Sequence, residues 1–361
     1  MSTTSPPTFA PSAPSVSLLW ADPQRQKLFE DWFSSVQATW QLDLRTLRLA
    51  SADASFRRYL RVDTPQGSLV VMDAPPTLEN CQPFVHVARL MADAGLHAPK
   101  VLAWDEANGF MLLTDLGTQT LLQAMDPQAP APLSRYLEAV DMLVQWQLAS
   151  RPGVLPPYDR ALLLRELELF PQWYMGEYRR MPPDTAQRAT LDATFATIIE
   201  NNLAWPGVYV HRDFMPRNLM LGSDGRLGVL DFQDAVFGPI TYDIASLMRD
   251  AFISWEEEFC LDVTIRYWQK ARKANLPVGS DFGAFYRAVE WMGLQRHLKV
   301  AGIFARLTLR DGKPQYLADT PRFIAYLHAT CTRYIELKPL LRLIEHVEGL
   351  ASRSAFAFGR V

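Results

Sequence analysis

The stretch 211–233, HRDFMPRNLMLGSDGRLGVLDFQ, constrains this chain more than any other. Apolar runs at 219–221 and 227–230 flank Gly222-Ser223-Asp224-Gly225-Arg226, a turn-rich break that predicts a β-hairpin. That hairpin brings Asn218, before it, towards Asp231, after it, with Asp213 just upstream. Asp213 could orient a hydroxyl and take its proton late in a transfer. Asn218 and Asp231 offer one amide oxygen and one carboxylate, and magnesium prefers such oxygen ligands. His211 would sit at the base of the loop and hold its backbone. The plainer alternative is that Asp and Asn are turn residues, because both bond their own backbone. All three at this spacing around a hairpin favour the chemical reading.

The rest of the chain divides by periodicity. A helix is predicted over 22–40, with Leu28, Trp32 and Val36 at helical spacing. Strands follow at 47–50, 59–62 and 69–72, with Pro65-Gln66-Gly67-Ser68 as a hairpin turn. A helix over 83–94 stops at Gly95, and strands at 101–104 and 110–114 flank Glu106-Ala107-Asn108-Gly109. Beyond Gly117 the pattern is mainly helical: 134–149, 160–180, 184–202, 256–274, 282–305 and 323–336. The 219–230 hairpin is the one clear β interruption there. The expected organisation is a disordered tail over 1–16, a β-rich lobe over 17–117 and a helical lobe over 118–361.

Bulk properties exclude several classes. A length of 361 residues suits two lobes rather than one small core. The formal net charge of −3 argues against a nucleic-acid surface, which needs clustered basic charge. No apolar run approaches the roughly 18 to 20 residues of a membrane span. The opening MSTTSPPTFAPSAPSV lacks the basic and apolar regions of a secretory signal. Cys81, Cys260 and Cys331 are odd in number and widely spaced, which fits reduced thiols in a cytoplasmic protein. No obligate protein partner is evident.

The order Asp213, Asn218, hairpin, Asp231 matches the kinase arrangement of catalytic Asp, metal-binding Asn and second metal-binding Asp. With DFQDAVFGP and YDIA following, the segment resembles the aminoglycoside phosphotransferase-like kinases. SFRRYLRV, SLVVMDAPP, ENCQPFV, MRDAFISWEEE, QRHLKVAGIFARL and RDGKPQYLADTPR extend the likeness from about Ser55 to Arg322. Within that group they most resemble the anomeric kinases of N-acetylmuramate and N-acetylglucosamine in cell-wall recycling. The resemblance implies an α+β, bilobal, protein-kinase-like fold, with ATP and Mg2+ as cofactors and a small amino sugar as substrate. The N-terminal lobe would bind nucleotide, and Asp243 would support the catalytic loop. It further implies phosphorylation of the anomeric hydroxyl. Rival readings are a kinase of another small alcohol, such as an aminoglycoside, choline or homoserine, and a nucleotide-binding pseudokinase.

One departure matters. Kinases of this kind place a Lys on the third strand, paired with a helix Glu, to grip nucleotide phosphates. Here that strand reads Leu69-Val70-Val71-Met72-Asp73, and the 83–94 helix has no Glu. Ser55, Arg57 and Arg58 occupy the phosphate-covering position and become candidates, since Arg forks suit phosphate oxygens. A solvated outer face is the alternative for a strand-borne Arg. Arg217, between Asp213 and Asn218, could reach the transferring phosphoryl group or merely hold the loop by a salt bridge. Arg212 reads as structural. The backbone of Thr114, Asp115 and Leu116 would meet the adenine edge.

On the acceptor side, Gln233 and Asp234 follow a candidate metal ligand directly, and Asp234 could instead cap a turn or pair with Arg217. Glu166, Glu168, Trp173, Tyr174 and Trp255 are further polar or aromatic candidates, although aromatics are more often core. The basic run at Arg296 to Lys299, with Arg306, suits a neutral or acidic acceptor better than a polycation. Glu256-Glu257-Glu258 reads as a solvated helix N-terminus.

Overall fold

A computed structural model describes residues 20, 22–52, 57–126, 129–222 and 224–350. The expected tail at 1–16 and the candidate Ser55 lie outside the described residues. Contacts divide the chain into two units, 1–92 with 98–118 and 93–97 with 119–361. The fold is α+β.

The first unit opens with helix α1 (Pro23–Trp40), capped by the Asp22 carboxylate on Gln24 N. Strands β1 (Asp43–Ala52), β2 (Arg58–Thr64) and β3 (Gly67–Asp73) follow, then α2 (Gln82–Asp93), β4 (Val101–Asp105) and β5 (Phe110–Thr114). The strands form one antiparallel sheet in the order β1-β2-β3-β5-β4. Phe29, Trp32 and Phe33 of α1 pack with Leu60, Val62, Val71, Phe110 and Leu112 of the sheet. Trp32 stacks on Phe110 with centroids 5.4 Å apart, a geometry aromatic pairs favour. Gly109 ends the turn before β5 with φ +71°, and a Cβ there would meet the Ala74 carbonyl at 2.0 Å. Only glycine fits that position.

The second unit carries β6 (Gln119–Thr120), α3 (Leu121–Ala124), α4 (Leu133–Leu148), α5 (Arg160–Leu167) and α6 (Thr185–Leu203). Next come β7 (Gly207–Val210), β8 (Leu219–Leu221), β9 (Leu227–Val229), β10 (Val236–Pro239) and α7 (Thr241–Met248). Helices α8 (Glu257–Lys273), α9 (Phe282–Leu309), α10 (Thr320–Arg333) and α11 (Lys338–Glu348) complete it. Two expectations need correction. The single helix over 160–180 splits into α5 and a π-helical segment, Phe170–Tyr178, that starts beside Pro171. Proline lacks the amide hydrogen a regular turn needs. The 219–230 hairpin is also not the only β structure: β8 pairs with β6 and β9, and β7 pairs with β10. These partner strands are too short to show periodicity.

Helix α9 is the axis of this unit. Gly302, in its interior, lets the Leu169 backbone approach so closely that a Cβ would meet it at 2.4 Å. Among the described residues no helix is long and apolar enough to cross a membrane, and all three cysteines are buried and free.

Candidate active site

The loop after β7 is held by side chains rather than by regular secondary structure. Asp243, fully buried at the start of α7, accepts the His211 N–H at 2.7 Å and the Arg212 N–H at 3.0 Å. Burial pushes the Asp243 carboxyl up to about 7, against the pull of those two donors. His211 is buried, and its Nε2 lies 2.9 Å from the Leu230 carbonyl. Its Nδ1 accepts the Asp213 N–H at 3.3 Å, so the ring is neutral, with its proton on Nε2. Burial agrees, lowering this imidazole to about 4. Arg212 and Asp231 both adopt left-handed φ, +76° and +63°, which non-glycine residues rarely hold.

Asn218 is brought to Asp213 and Asp231 by the turn and hairpin. Its Nδ2 donates to the Asp213 carbonyl at 2.9 Å and lies 3.4 Å from Asp231 Oδ2. A carbonyl only accepts, so the amide orientation is set and Oδ1 takes no donor among the described residues. Leu230 N–H closes onto the Asn218 carbonyl at 2.9 Å. One amide oxygen and one carboxylate suit magnesium, which completes its shell with phosphate and water oxygens. No cluster of three His, Cys, Asp or Glu side chains forms a metal site among the described residues, so the arrangement is not a self-sufficient cage. The Asp213 side chain is 35% exposed, and among the described residues no donor hydrogen-bonds its carboxylate. Desolvation raises its pKa, but the charges of Lys299, Arg296 and Arg212 outweigh that and hold it below the usual carboxylate range.

Behind the loop lies a buried charge network that corrects two expectations. Glu166, proposed from sequence to touch substrate, is buried and engaged by three donors. It accepts from Arg212 Nη2 at 2.5 Å, lies 3.3 Å from Lys299 Nζ and takes the Tyr158 hydroxyl. Burial and three donors turn this carboxylate into the network rather than towards a substrate. Arg296 and Lys299 are not a surface facing an acidic acceptor either. Both are buried on α9, Arg296 donating to the Arg212 carbonyl at 2.8 Å and Lys299 to the Tyr242 hydroxyl at 3.2 Å. Two cations at i and i+3 of α9 were the available signal for this network.

Arg217 is exposed, and its guanidinium lies 4.9 Å over the Phe252 ring. Among the described residues it forms no ion pair, and Asp234 does not pair with it. Asp234 is exposed, and its carbonyl lies 3.4 Å from Arg212 Nη1. Gln233 Nε2 donates to Asp231 Oδ1 at 2.8 Å. Trp173 is half-buried on the π-helical segment, with no hydrogen bond or ring contact tying it to the loop among the described residues. Trp255 instead lines a cavity of about 250 Å³ with His297 and Tyr326. Arg249, Arg333, Glu257 and Glu290 complete most of its wall, two cations against two anions.

In the first unit, neither arginine stands on a solvated outer face. Arg57 pairs with Glu79 at 3.2 Å, and Arg58 with Asp73 at 2.5 Å. Where a strand Lys was expected, Met72 is wholly buried and Asp73 binds Arg58, Arg25 and the Trp20 indole. Thr114 ends β5 and caps Lys100 N through its hydroxyl at 2.9 Å. The Asp115 carboxylate is engaged by Arg61, Ser68 and Gly117 N, and Leu116 is buried, so these side chains are taken up within the first unit.

A helix-borne Asp bracing a histidine-led loop, with Asp, Asn and Asp converging across a hairpin, is phosphotransferase architecture. The chain belongs to the phosphotransferase enzyme family, whose pattern matches residues 46–279. It is 50% identical, over 90% of its length and 97% of the relative's, to the N-acetylmuramate/N-acetylglucosamine kinase of Neisseria meningitidis serogroup B. It is 47% identical to the enzyme of the same name from Pseudomonas putida, covering 91% of this chain and 95% of that one. The fold is shared with choline kinase LicA from Streptococcus pneumoniae, at TM-score 0.60 and 13% identity, over 84% of this chain and 99% of that one.

Proposed function

We propose that the protein is a cytoplasmic ATP- and magnesium-dependent kinase that phosphorylates the anomeric hydroxyl of N-acetylmuramate and N-acetylglucosamine in peptidoglycan recycling. The observation that carries this reading is the 50% identity, over nine-tenths of the chain, to a kinase named for both sugars. Residues 17–117 would form the nucleotide-binding lobe and 118–361 the lobe with the catalytic loop and sugar site.

The loop's own residues give the mechanism. Asp213, partly exposed and hydrogen-bonded by no side chain among the described residues, accepts the sugar hydroxyl, orients it and takes its proton late. Asn218 Oδ1 and the Asp231 carboxylate would hold magnesium. The bound ion would neutralise charge on the β- and γ-phosphate oxygens. Gln233, tied to Asp231, keeps that carboxylate in place. Arg217, whose guanidinium lies over the Phe252 ring, would meet the transferred phosphoryl group. Arg57, Arg58, Ser55 and the backbone of Thr114, Asp115 and Leu116 are the nucleotide contacts. The charge-balanced cavity around Trp255 suits a neutral or singly acidic sugar, whereas a polycation would need net negative walls.

The test is direct. The protein is incubated with magnesium, γ-labelled ATP and a panel of N-acetylmuramate, N-acetylglucosamine, choline, homoserine and an aminoglycoside. Label transferred to the two amino sugars, in a phosphate lost on mild acid as anomeric phosphates are, is the expected result. Transfer to no acceptor would instead support a pseudokinase.

A further inference from the structure

We infer that Arg296, on α9, is a positioning residue for phosphoryl transfer, gripping the Arg212–Asp213 peptide by its carbonyl and so aiming the Asp213 carboxylate. This rests on the proposed role of Asp213. The peptide linking Arg212 to Asp213 is pinned at both ends. Its N–H is bonded to His211 Nδ1, and its C=O receives Arg296 Nη1 at 2.8 Å. The residue it pins, Arg212, holds a left-handed φ that a free loop would relax. The same Nη1 lies 3.9 Å from Asp213 Oδ1, too far for a hydrogen bond. Arg296 therefore stands beside the carboxylate without occupying the lone pairs an acceptor hydroxyl needs.

The burial of Arg296 supports a role beyond stability. Its side chain is 3% exposed, it donates to the Arg212 carbonyl and is hydrogen-bonded to Tyr242, whose ring its guanidinium overlies at 5.2 Å, and its Nε has no partner among the described residues. A guanidinium buried with an unpartnered Nε is a poor stabiliser compared with an apolar residue of similar size. What it does accomplish is local to the loop. The neighbouring groups hold the frame: Glu166 binds Arg212 and Lys299, Lys299 meets Tyr242, and Asp243 takes the two preceding N–H groups. Among the described residues Arg296 adds the one anchor on the carbonyl side of the peptide. Misplacement of a reacting group by about 1 Å costs roughly 100-fold in rate, so this anchor acts on turnover more than on binding.

The experiment compares Arg296→Ala, Arg296→Gln, Arg296→Lys and Asp213→Asn in the full chain. It measures kcat, KM for ATP and KM for N-acetylmuramate, with folding checked by thermal melting. Arg296→Ala is expected to lower kcat by about 100-fold with both KM values within about threefold of the parent. Arg296→Gln, which can still donate to the carbonyl, is expected to recover roughly tenfold of that loss. A kcat within about threefold of the parent in Arg296→Ala would overturn the inference, as would KM values rising in step with the fall in kcat. Recovery by Lys but not by Gln would also overturn it, because the effect would then trace to charge rather than to the grip on the peptide. Should the Ala variant fail to fold, Gln and Lys are compared with the parent: a lower kcat with Gln ahead of Lys supports the inference, and parental kcat in both overturns it. The control separates the two claims. An inactive Asp213→Asn beside unimpaired Arg296 variants overturns only this inference, whereas an active Asp213→Asn removes the reading beneath it.

Discussion

Two carboxylates, one in each unit, show how burial and saturation separate architecture from chemistry. Asp73, at the end of β3, is 1% exposed and takes the Trp20 indole on one oxygen, Arg25 on the other and Arg58 on the first. Its acceptor capacity is filled. Asp213 sits near three cations, Arg212, Arg296 and Lys299, yet its carboxylate is partly exposed and receives no hydrogen bond among the described residues. Nearby charge without direct bonding leaves a carboxylate ionised and able to accept a proton. Full bonding makes one a structural rivet. The contrast also bears on the missing strand Lys. At the end of that strand the chain has placed an anion that gathers two arginines, so the cationic character of the region comes from β2 and α1.

The strongest way to break the comparison is to remove Asp213. Asp213→Ala is expected to lower kcat by about 10² to 10⁴-fold, the range of a positioned acid–base group, while the melting temperature changes little. Label transfer from ATP to N-acetylmuramate and a melting curve on the same sample check both halves. Parental turnover would make Asp213 another turn residue.

Asp73→Ala should do the reverse. It strands Arg25, Arg58 and the Trp20 indole, and breaking a buried ion pair costs about 3 to 5 kcal/mol. Arg58 is about one-third exposed, so the lower end, about 3 kcal/mol, is expected after solvent screening. Urea unfolding measures this. A stable variant with impaired ATP binding would instead make Asp73 part of the nucleotide site.

The main elements were legible because they carry strong local signals. The 23–40 helix begins at a side-chain cap, and the 211–233 segment combines oxygen-bearing residues with a hairpin turn. What stayed hidden was non-local. That Asp73 gathers Trp20 and Arg25 from about fifty residues away leaves no periodicity in sequence. Glu166 read as a site residue for the same reason: its partners, Arg212 and Lys299, lie far along the chain. Burial, which decides between ligand and rivet, is a property of the packed chain.

Glu166 gives a middle case, a buried and ion-paired carboxylate behind the loop that carries the reactive one. Glu166→Gln keeps the shape but removes the charge that balances Arg212 and Lys299. Loss of stability of about 2 to 3 kcal/mol is expected, with KM for the sugar unchanged. A raised sugar KM with intact stability would restore it to the substrate side.

The smallest effect concerns the buried imidazoles of the second unit. His297, on α9 beside Arg296, is buried, and its Nε2 lies 3.2 Å from the Arg249 carbonyl. Burial lowers it to about 3, so the fold keeps it neutral while the unfolded chain protonates it near its ordinary value of 6.5. Its contribution is therefore present above about pH 6.5 and is lost as pH falls towards 3. Asp243, raised to about 7, works in the opposite sense: its contribution is full below the ordinary carboxylate range and is lost as pH rises through 7. The two partly cancel in the parent curve, so the difference between variants is the clean readout. Below pH 6.5 the parent should lose stability relative to His297→Gln by about 1.4 kcal/mol per pH unit. Urea unfolding of both proteins at pH 5, 6 and 7 checks the slope. Parallel curves would mean that His297 is charged inside the fold, and the polar face of α9 would then be open to water as the Asp73 cluster is not.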